Sequence, residues 1–260
     1  MRVLHATWPA LVLTALILGA WEAACRFGGV PTYLLPTPSA IWAALLDSFP
    51  LLLQSALATL LMAVEALAAA LVVSVPLALL GALSPLFQRA TGPLAAAIQV
   101  TPVVAIAPLF VIWAGLDHPD RAITALGAIV AFFPLFSGLA TGLKAADPDL
   151  VRLFDLYGAT RRQRLVRLFV PSAVPYLMEG LKVAAGLSII GVVVAEFVAG
   201  SGGTQGLAWR ILEASHQLKT AQMFAALLVL GVMGAALNGL LKMGEQRLLK
   251  AWRGADRRRR

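Results

Sequence analysis

Charge is scarce in this sequence. Only 13% of its 260 residues are Asp, Glu, Lys or Arg, while 60% are hydrophobic. A soluble domain carries about 25% charged residues, so long stretches of this chain are built for lipid rather than water. Cysteine is nearly missing as well: Cys25 stands alone, which excludes an intrachain disulfide, a cysteine-rich metal centre and a CxxC redox pair. His5, His118 and His216 lie far apart and show no ligand spacing, so no metal site is expected. No Gly-x-x-x-x-Gly-Lys-Ser/Thr run occurs, so the chain is not expected to cradle a nucleotide by itself. The strict alternation of membrane β-strands is absent, which removes a barrel.

What is present is a set of six apolar blocks, about Trp8–Cys25, Leu52–Leu83, Gly92–Leu116, Ala122–Leu143, Pro175–Ala199 and Ala221–Met243. A membrane-crossing helix needs roughly 20 mainly apolar residues, so the expected fold class is all-α, a polytopic protein with six spans in a single domain over 1–260. The first block follows Arg2 and His5 in the manner of a leader peptide. It is longer than a leader core, and Trp21, Glu22 and Arg26 spoil the small-residue cleavage pattern, so it is read as a retained span. The breaker-rich segment from Phe27 to Pro38 follows, and Ser39 is expected to cap a short interfacial helix ending near Ser48. Pro76 is expected to bend the second block, and Gly81, Ser84 and Pro85 to end it.

The net charge of +8 does not indicate nucleic acid, because the basic residues sit between apolar blocks and at the C-terminus. Six spans divide them into two groups. Sixteen fall on one side: Arg2, Arg89, the six from Lys144 to Arg167, and the eight from Lys242 to Arg260. Only four, Arg26, Arg121, Arg210 and Lys219, fall on the other, and Lys182 lies within the fifth block. Under the positive-inside rule this split implies cytoplasmic N- and C-termini, with a basic tail over about 244–260.

Two connections are long, an internal one over about 144–172 and an external one over about 200–220. Neither has room for a catalytic domain. In the internal one, Asp147 is a candidate N-cap with Pro148 in the first turn. Leu150, Leu153, Phe154 and Tyr157 repeat at the spacing of one helix face. Gly158 breaks that helix, and Thr160 is positioned to cap a second one with Leu165, Leu168 and Phe169 on its apolar side. Two short amphipathic helices meeting at a glycine elbow are the expectation.

This segment resembles the cytoplasmic signature of the membrane subunits of bacterial ABC importers that work with a separate binding protein. That signature has a Glu-Ala-Ala triplet, a glycine four residues on, and Ile-x-Leu-Pro ending thirteen residues after the glycine. Gly158 and Pro171 stand at this spacing, with Leu168 and Val170 in the Ile and Leu places, while Arg152-Leu153-Phe154 replaces the triplet. The run Gly191–Phe197, with Thr101-Pro102 and Ala107-Pro108, is similar to the branch handling nitrate, sulfonates, taurine and thiamine or riboflavin precursors. The resemblance spans roughly Ser39 to Lys250. It implies a multi-pass permease of the bacterial inner membrane that imports a small polar solute. Its implied partners are ABC ATPase subunits carrying ATP and Mg, an external substrate-binding protein, a second permease copy and membrane lipid. It also implies no catalysis and no cofactor in this chain. Phe154, Leu156, Tyr157, Gly158, Ala159, Arg161, Arg162 and Arg164 become the candidate ATPase-coupling residues.

Ionisable groups inside spans tend to face a protein interior or a watery path. Glu65 and Glu196, with Pro102 and Pro108, are the candidate pathway or binding-protein contacts, and Glu22 lies nearer the end of its span. Glu179 and Lys182 are spaced to pair on one helix face. Small residues in the fifth block (Ala184, Ala185, Gly186, Ser188, Gly191) and the sixth (Gly231, Gly234, Ala235, Asn238, Gly239) are suited to close helix packing. The alternative function is an ion-gradient-driven secondary transporter using Glu65 and Glu196. The long internal connection argues against it. An intramembrane hydrolase is excluded more firmly, since no block holds a histidine or a pair of aspartates.

Overall fold

The computed structural model describes residues 2–115, 118–199 and 205–257, with side chains described at 8, 9, 11–115, 118–199 and 205–250. The helices are α1 (Arg2–Phe27), α2 (Pro38–Asp47), α3 (Phe49–Leu83), α4 (Pro85–Val100), α5 (Val103–Ala114), α6 (Pro119–Lys144), α7 (Pro148–Leu156), α8 (Arg161–Arg164), α9 (Val170–Ala199), α10 (Leu207–His216) and α11 (Thr220–Arg257). A π-helical turn, Leu165–Phe169, joins α8 to α9. No strand occurs among the described residues. The all-α expectation therefore holds.

Four described helical stretches are long and apolar enough to cross a membrane: Phe49–Leu83, Pro119–Lys144, Arg161–Ala199 and Thr220–Lys250. The bent pair α4 and α5 makes a fifth if it counts as one span. The third apolar block is thus not the single run from Gly92 to Leu116 that its composition suggests: α4 and α5 meet at 99°. Pro102 is the cause. It has no N–H to continue α4, and it drives the residue before it out of the helical region. Thr101 (ψ 124°) and Pro102 (ψ 106°) are both extended and form the corner. Ser84 and Pro85, expected only to end the second block, also start α4, with the Ser84 hydroxyl accepting from Phe87 N–H at 3.3 Å.

The chain folds as two compact units, residues 1–57 with 205–231, and 58–204 with 232–260. In the first, α2 is capped by Thr37, whose hydroxyl accepts from Ala40 N–H at 3.2 Å, and not by Ser39. Ser39 instead gives its backbone N–H (3.0 Å) and hydroxyl (2.7 Å) to Glu22, which also accepts from Arg26 at 2.7 Å. Glu22 thereby satisfies a second free N–H of the α2 terminus, a structural task. Arg210 of α10 is held by Ser55 (3.1 Å), Glu213 (2.9 Å) and Gln205 (3.0 Å).

In the second unit, the core lies between α6 and α9, with Leu135, Phe136, Leu139, Leu143, Ala173, Ala184 and Ala185 buried. Glycines set the spacing. A Cβ on Gly180 would lie 2.7 Å from the Pro134 carbonyl oxygen, one on Gly142 2.8 Å from Ala173 Cα, and one on Gly191 2.9 Å from Gly127 Cα. The small residues Ala184, Ala185, Ser188 and Gly191 of the fifth block pack as expected, but Gly186 faces open space. Those of the sixth block do not pack closely here: a Cβ on Gly231 or Gly239 meets nothing within 4 Å, and one on Gly234 meets only Ile189 at 3.9 Å. The partner glycines lie in α6, where Gly127, Gly138 and Gly142 were not singled out by composition.

Candidate functional site

The segment between α6 and α9 starts as its residue types require. Asp147 caps α7 by accepting from Asp149 N–H at 2.8 Å, with Pro148 in the first turn. The helix closes at Tyr157, where Gly158 N–H reaches the Asp155 carbonyl (3.0 Å) and Ala159 N–H the Phe154 carbonyl (2.9 Å). Gly158 has φ +67°. That left-handed conformation costs a residue with a Cβ about 1–2 kcal/mol, which explains a glycine here. Nothing lies within 4 Å of where its Cβ would stand.

Thr160 then caps the next helix. Its hydroxyl accepts from Gln163 N–H (3.3 Å), and the Gln163 side chain accepts from Thr160 N–H (2.8 Å), a reciprocal capping box. An ion pair between Arg164 and Asp155 closes the elbow from α7 to α8. The second helix is not short or separate as expected. From Arg161 to Ala199 the chain is one continuous 39-residue helical stretch. The π-helical turn lies just before Pro171, where a wider turn accommodates a carbonyl that this proline leaves without a donor, and the stretch continues through Pro175.

No residue of α7 is buried. Leu156 is 84% and Tyr157 83% exposed, and Leu150 and Leu153 are each 44% exposed. Two large apolar side chains thus stand exposed at the tip of the elbow. Phe154, Tyr157 and Ala159 line a shallow groove with Leu153, Gln163 and Arg167. Leu156 lies on the other side, in a recess with Arg152 and Asp155. Arg161 and Arg162 are exposed. Arg164 is paired with Asp155 of the same chain, a contact the sequence does not suggest.

The sequence reading missed Asp155 and Arg167. The Asp155–Arg164 contact spans nine residues across a turn and has no periodic signature. Gln163 was legible as the third residue after Thr160, the capping-box position.

The other candidates separate. Glu65 is exposed on α3, midway along its 35 residues. Glu196 is only 2% exposed and accepts from the Thr59 hydroxyl at 3.3 Å, so it is a buried polar group and not the surface contact expected. Burial of a carboxylate demands such partners. Pro102 is exposed at the α4–α5 corner, and Pro108 is exposed within α5. Glu179 and Lys182 pair as their spacing implies, at 2.8 Å. Lys182 also meets Glu245 of α11 at 2.9 Å, a link across 63 residues that sequence spacing does not reveal.

An exposed elbow with apolar side chains at its tip, continuous with a long apolar helix, sits in a chain with several helices long and apolar enough to cross a membrane. Residues 74–250 match the family of binding-protein-dependent transport system inner membrane components. The chain belongs to that family. It is similar to the formylaminopyrimidine transport permease protein ThiX of Halalkalibacterium halodurans, 35% identical over 112 residues, 43% of this chain and 43% of that one. It is also similar to the putative aliphatic sulfonates transport permease protein SsuC of Bacillus subtilis, 26% identical over 44% of this chain and 40% of that protein. A third relative is the nitrate import permease protein NrtB of Synechococcus elongatus, 26% identical over 39% and 37%. The matches span less than half of each relative's length. The fold is that of a chain in a crystal structure of an amino acid ABC transporter, with a TM-score of 0.63, 16% identity, and coverage of 79% of this chain and 97% of that one.

Proposed function

We propose that this chain is the membrane-spanning permease of an ATP-driven, binding-protein-dependent importer of a small polar solute. Separate ATPase subunits bind the elbow on the cytoplasmic side, and both termini lie on that side. A second copy of the chain completes the pathway, and an external binding protein delivers the solute. The relatives' names (formylaminopyrimidine, aliphatic sulfonates, nitrate) bound the solutes to be tested. The observation that carries the reading is the elbow: Leu156 and Tyr157 are 84% and 83% exposed beside a capped, ion-paired glycine turn. Interface cores are enriched in such large apolar and aromatic groups. ATP-driven closure of the ATPases would press on the elbow, and the 39-residue helical stretch from Arg161 would carry the displacement into the bundle.

The test is reconstitution. The chain alone is expected to hydrolyse no ATP, because it lacks a phosphate-cradling loop. Together with its ATPase it is expected to support hydrolysis that the loaded binding protein stimulates. Uptake driven by an ion gradient in membranes without the ATPase would reject this reading in favour of a secondary transporter.

A further inference from the structure

Glu65 is the only charged residue among the 35 of α3. At a rise of 1.5 Å per residue, α3 is about 52 Å long, with Glu65 about 24 Å from Phe49 and 27 Å from Leu83. A hydrocarbon layer is about 30 Å thick. Wherever such a layer is placed along α3, Glu65 falls inside it, and tilting the helix lengthens the covered stretch. That it lies inside follows from length alone, and its distance from the nearer edge ranges from about 3 to about 15 Å with the layer's position.

The carboxylate points away from the core. Met62, Ala63, Ala66, Leu67 and Ala70 form the buried face of α3 in this part, while Leu61, Glu65, Ala68, Ala69 and Val72 are exposed. No ion pair reaches Glu65 among the described residues. Of the two cations inside apolar blocks, Lys182 is already held by Glu179 and Glu245, and Lys242, near the end of the sixth block, makes no ion pair with Glu65 among the described residues. A lone carboxylate at membrane depth is not left facing lipid tails; it faces water or another protein group. Ala68 and Ala69 leave room on one side of it, while Leu61, Val64 and Val72 are the bulky groups exposed on the same part of the helix.

We infer that Glu65 lines the aqueous path of the permease and makes it favour cations, so that the solute carries a protonated amine or is a neutral heterocycle rich in N–H donors, and monoanions are rejected. This rests on the importer reading given above and narrows it, since nitrate and sulfonate are anions. The acid acts by selecting charge and by accepting hydrogen bonds from the solute, with no bond made or broken. At about 6 Å in water a unit charge changes the local concentration of a monovalent ion about threefold, up for a cation and down for an anion. A probe one helical turn from Glu65 therefore reads about a tenfold preference.

The test uses the complete complex in membranes, with Cys25→Ala and a single cysteine at Ala69 or Ala68. The probes are a trimethylammonium and a sulfonate methanethiosulfonate of similar size, with rates corrected for their reaction with a free thiol. The expected result is that the cationic probe modifies the site about ten times faster, and that Glu65→Gln brings the ratio to about one. Failure of both probes to modify either cysteine would overturn the inference, since the face would then be closed by lipid or protein. A ratio indifferent to Glu65→Gln would overturn the charge role. ATP-dependent uptake of labelled nitrate or of an alkanesulfonate by the complex would overturn the solute class, and absence of both is the expected result. Stimulation of ATP hydrolysis by the binding protein is measured in the same preparation; its loss alone counts against the importer reading and leaves the thiol ratio to decide this one.

Discussion

Gly158→Asp separates the elbow's own stability from its role as a docking surface. Within the chain the change is mild. Nothing lies within 4 Å of the new Cβ, so no clash follows. The φ of +67° costs a non-glycine residue roughly 1 kcal/mol, and Asp tolerates that region better than most. The residue is exposed in the connection between α7 and α8, outside every candidate span, so no charge enters lipid. Under an ATPase the balance differs. A carboxylate desolvated there without a partner costs on the order of 3 kcal/mol, which weakens docking roughly 100-fold. Gly158→Asn isolates the charge, because Asn shares the tolerance of positive φ and adds no charge. The assay is co-purification of the ATPase together with solute uptake, normalised to the permease in the membrane. Gly158→Asp is expected to insert normally, lose the ATPase and abolish uptake, while Gly158→Asn retains most of both. Full ATPase retention and normal uptake in Gly158→Asp would sink the assignment of this elbow.

In a Cys25→Ala background, a cysteine at Asp120, an exposed position at the start of α6, is expected to react with an impermeant thiol reagent added to intact cells, and one at Gln163 is not; labelling of the latter would reverse the orientation (Ser201, which also suits the external probe, lies outside the described residues). Lys182→Met is expected to destabilise the protein by roughly 2 kcal/mol, because it strands Glu245, whose side chain is 12% exposed. Lys182→Met with Glu245→Leu is expected to recover much of the loss in a detergent melting experiment. A single variant as stable as the parent would show that the α9–α11 link carries no weight.

Most signals confined to one helix were legible in the sequence, the α2 cap at Thr37 in place of Ser39 being an exception, and signals shared between helices were not. The Asp147 cap, the Gly158 elbow, the Thr160 cap and the Glu179–Lys182 pair lie within four residues of their partners, and all appear as the spacing implies. Glu245, Asp155 and the α6 glycines matter only through contacts made by folding, and nothing in their neighbourhoods marks them. The prolines misled in both directions. Pro102 breaks a run that composition presents as continuous, while Pro171 and Pro175 do not break theirs. The difference is physical. At the α4–α5 corner both Thr101 and Pro102 are extended and the helix is lost. At the second site a π-helical turn precedes the prolines, and the Ser172 hydroxyl donates to the Leu168 carbonyl at 2.9 Å, so the axis survives.

That surviving axis bears on how the elbow acts on the rest of the chain. Were the second amphipathic helix short and separate from α9, as the sequence suggests, a push on Leu156 and Tyr157 would dissipate at the break between them. Instead the elbow is clamped at both ends, by the capping box and by the Asp155–Arg164 pair, to the start of a helical stretch 39 residues long. That stretch meets α6 through glycines whose added Cβ would lie 2.7 to 2.9 Å from the neighbouring chain. Contacts so close leave little room for sliding, since packed interiors resist compression. On the proposed reading, α9 therefore moves with α6 as one body when the ATPases close.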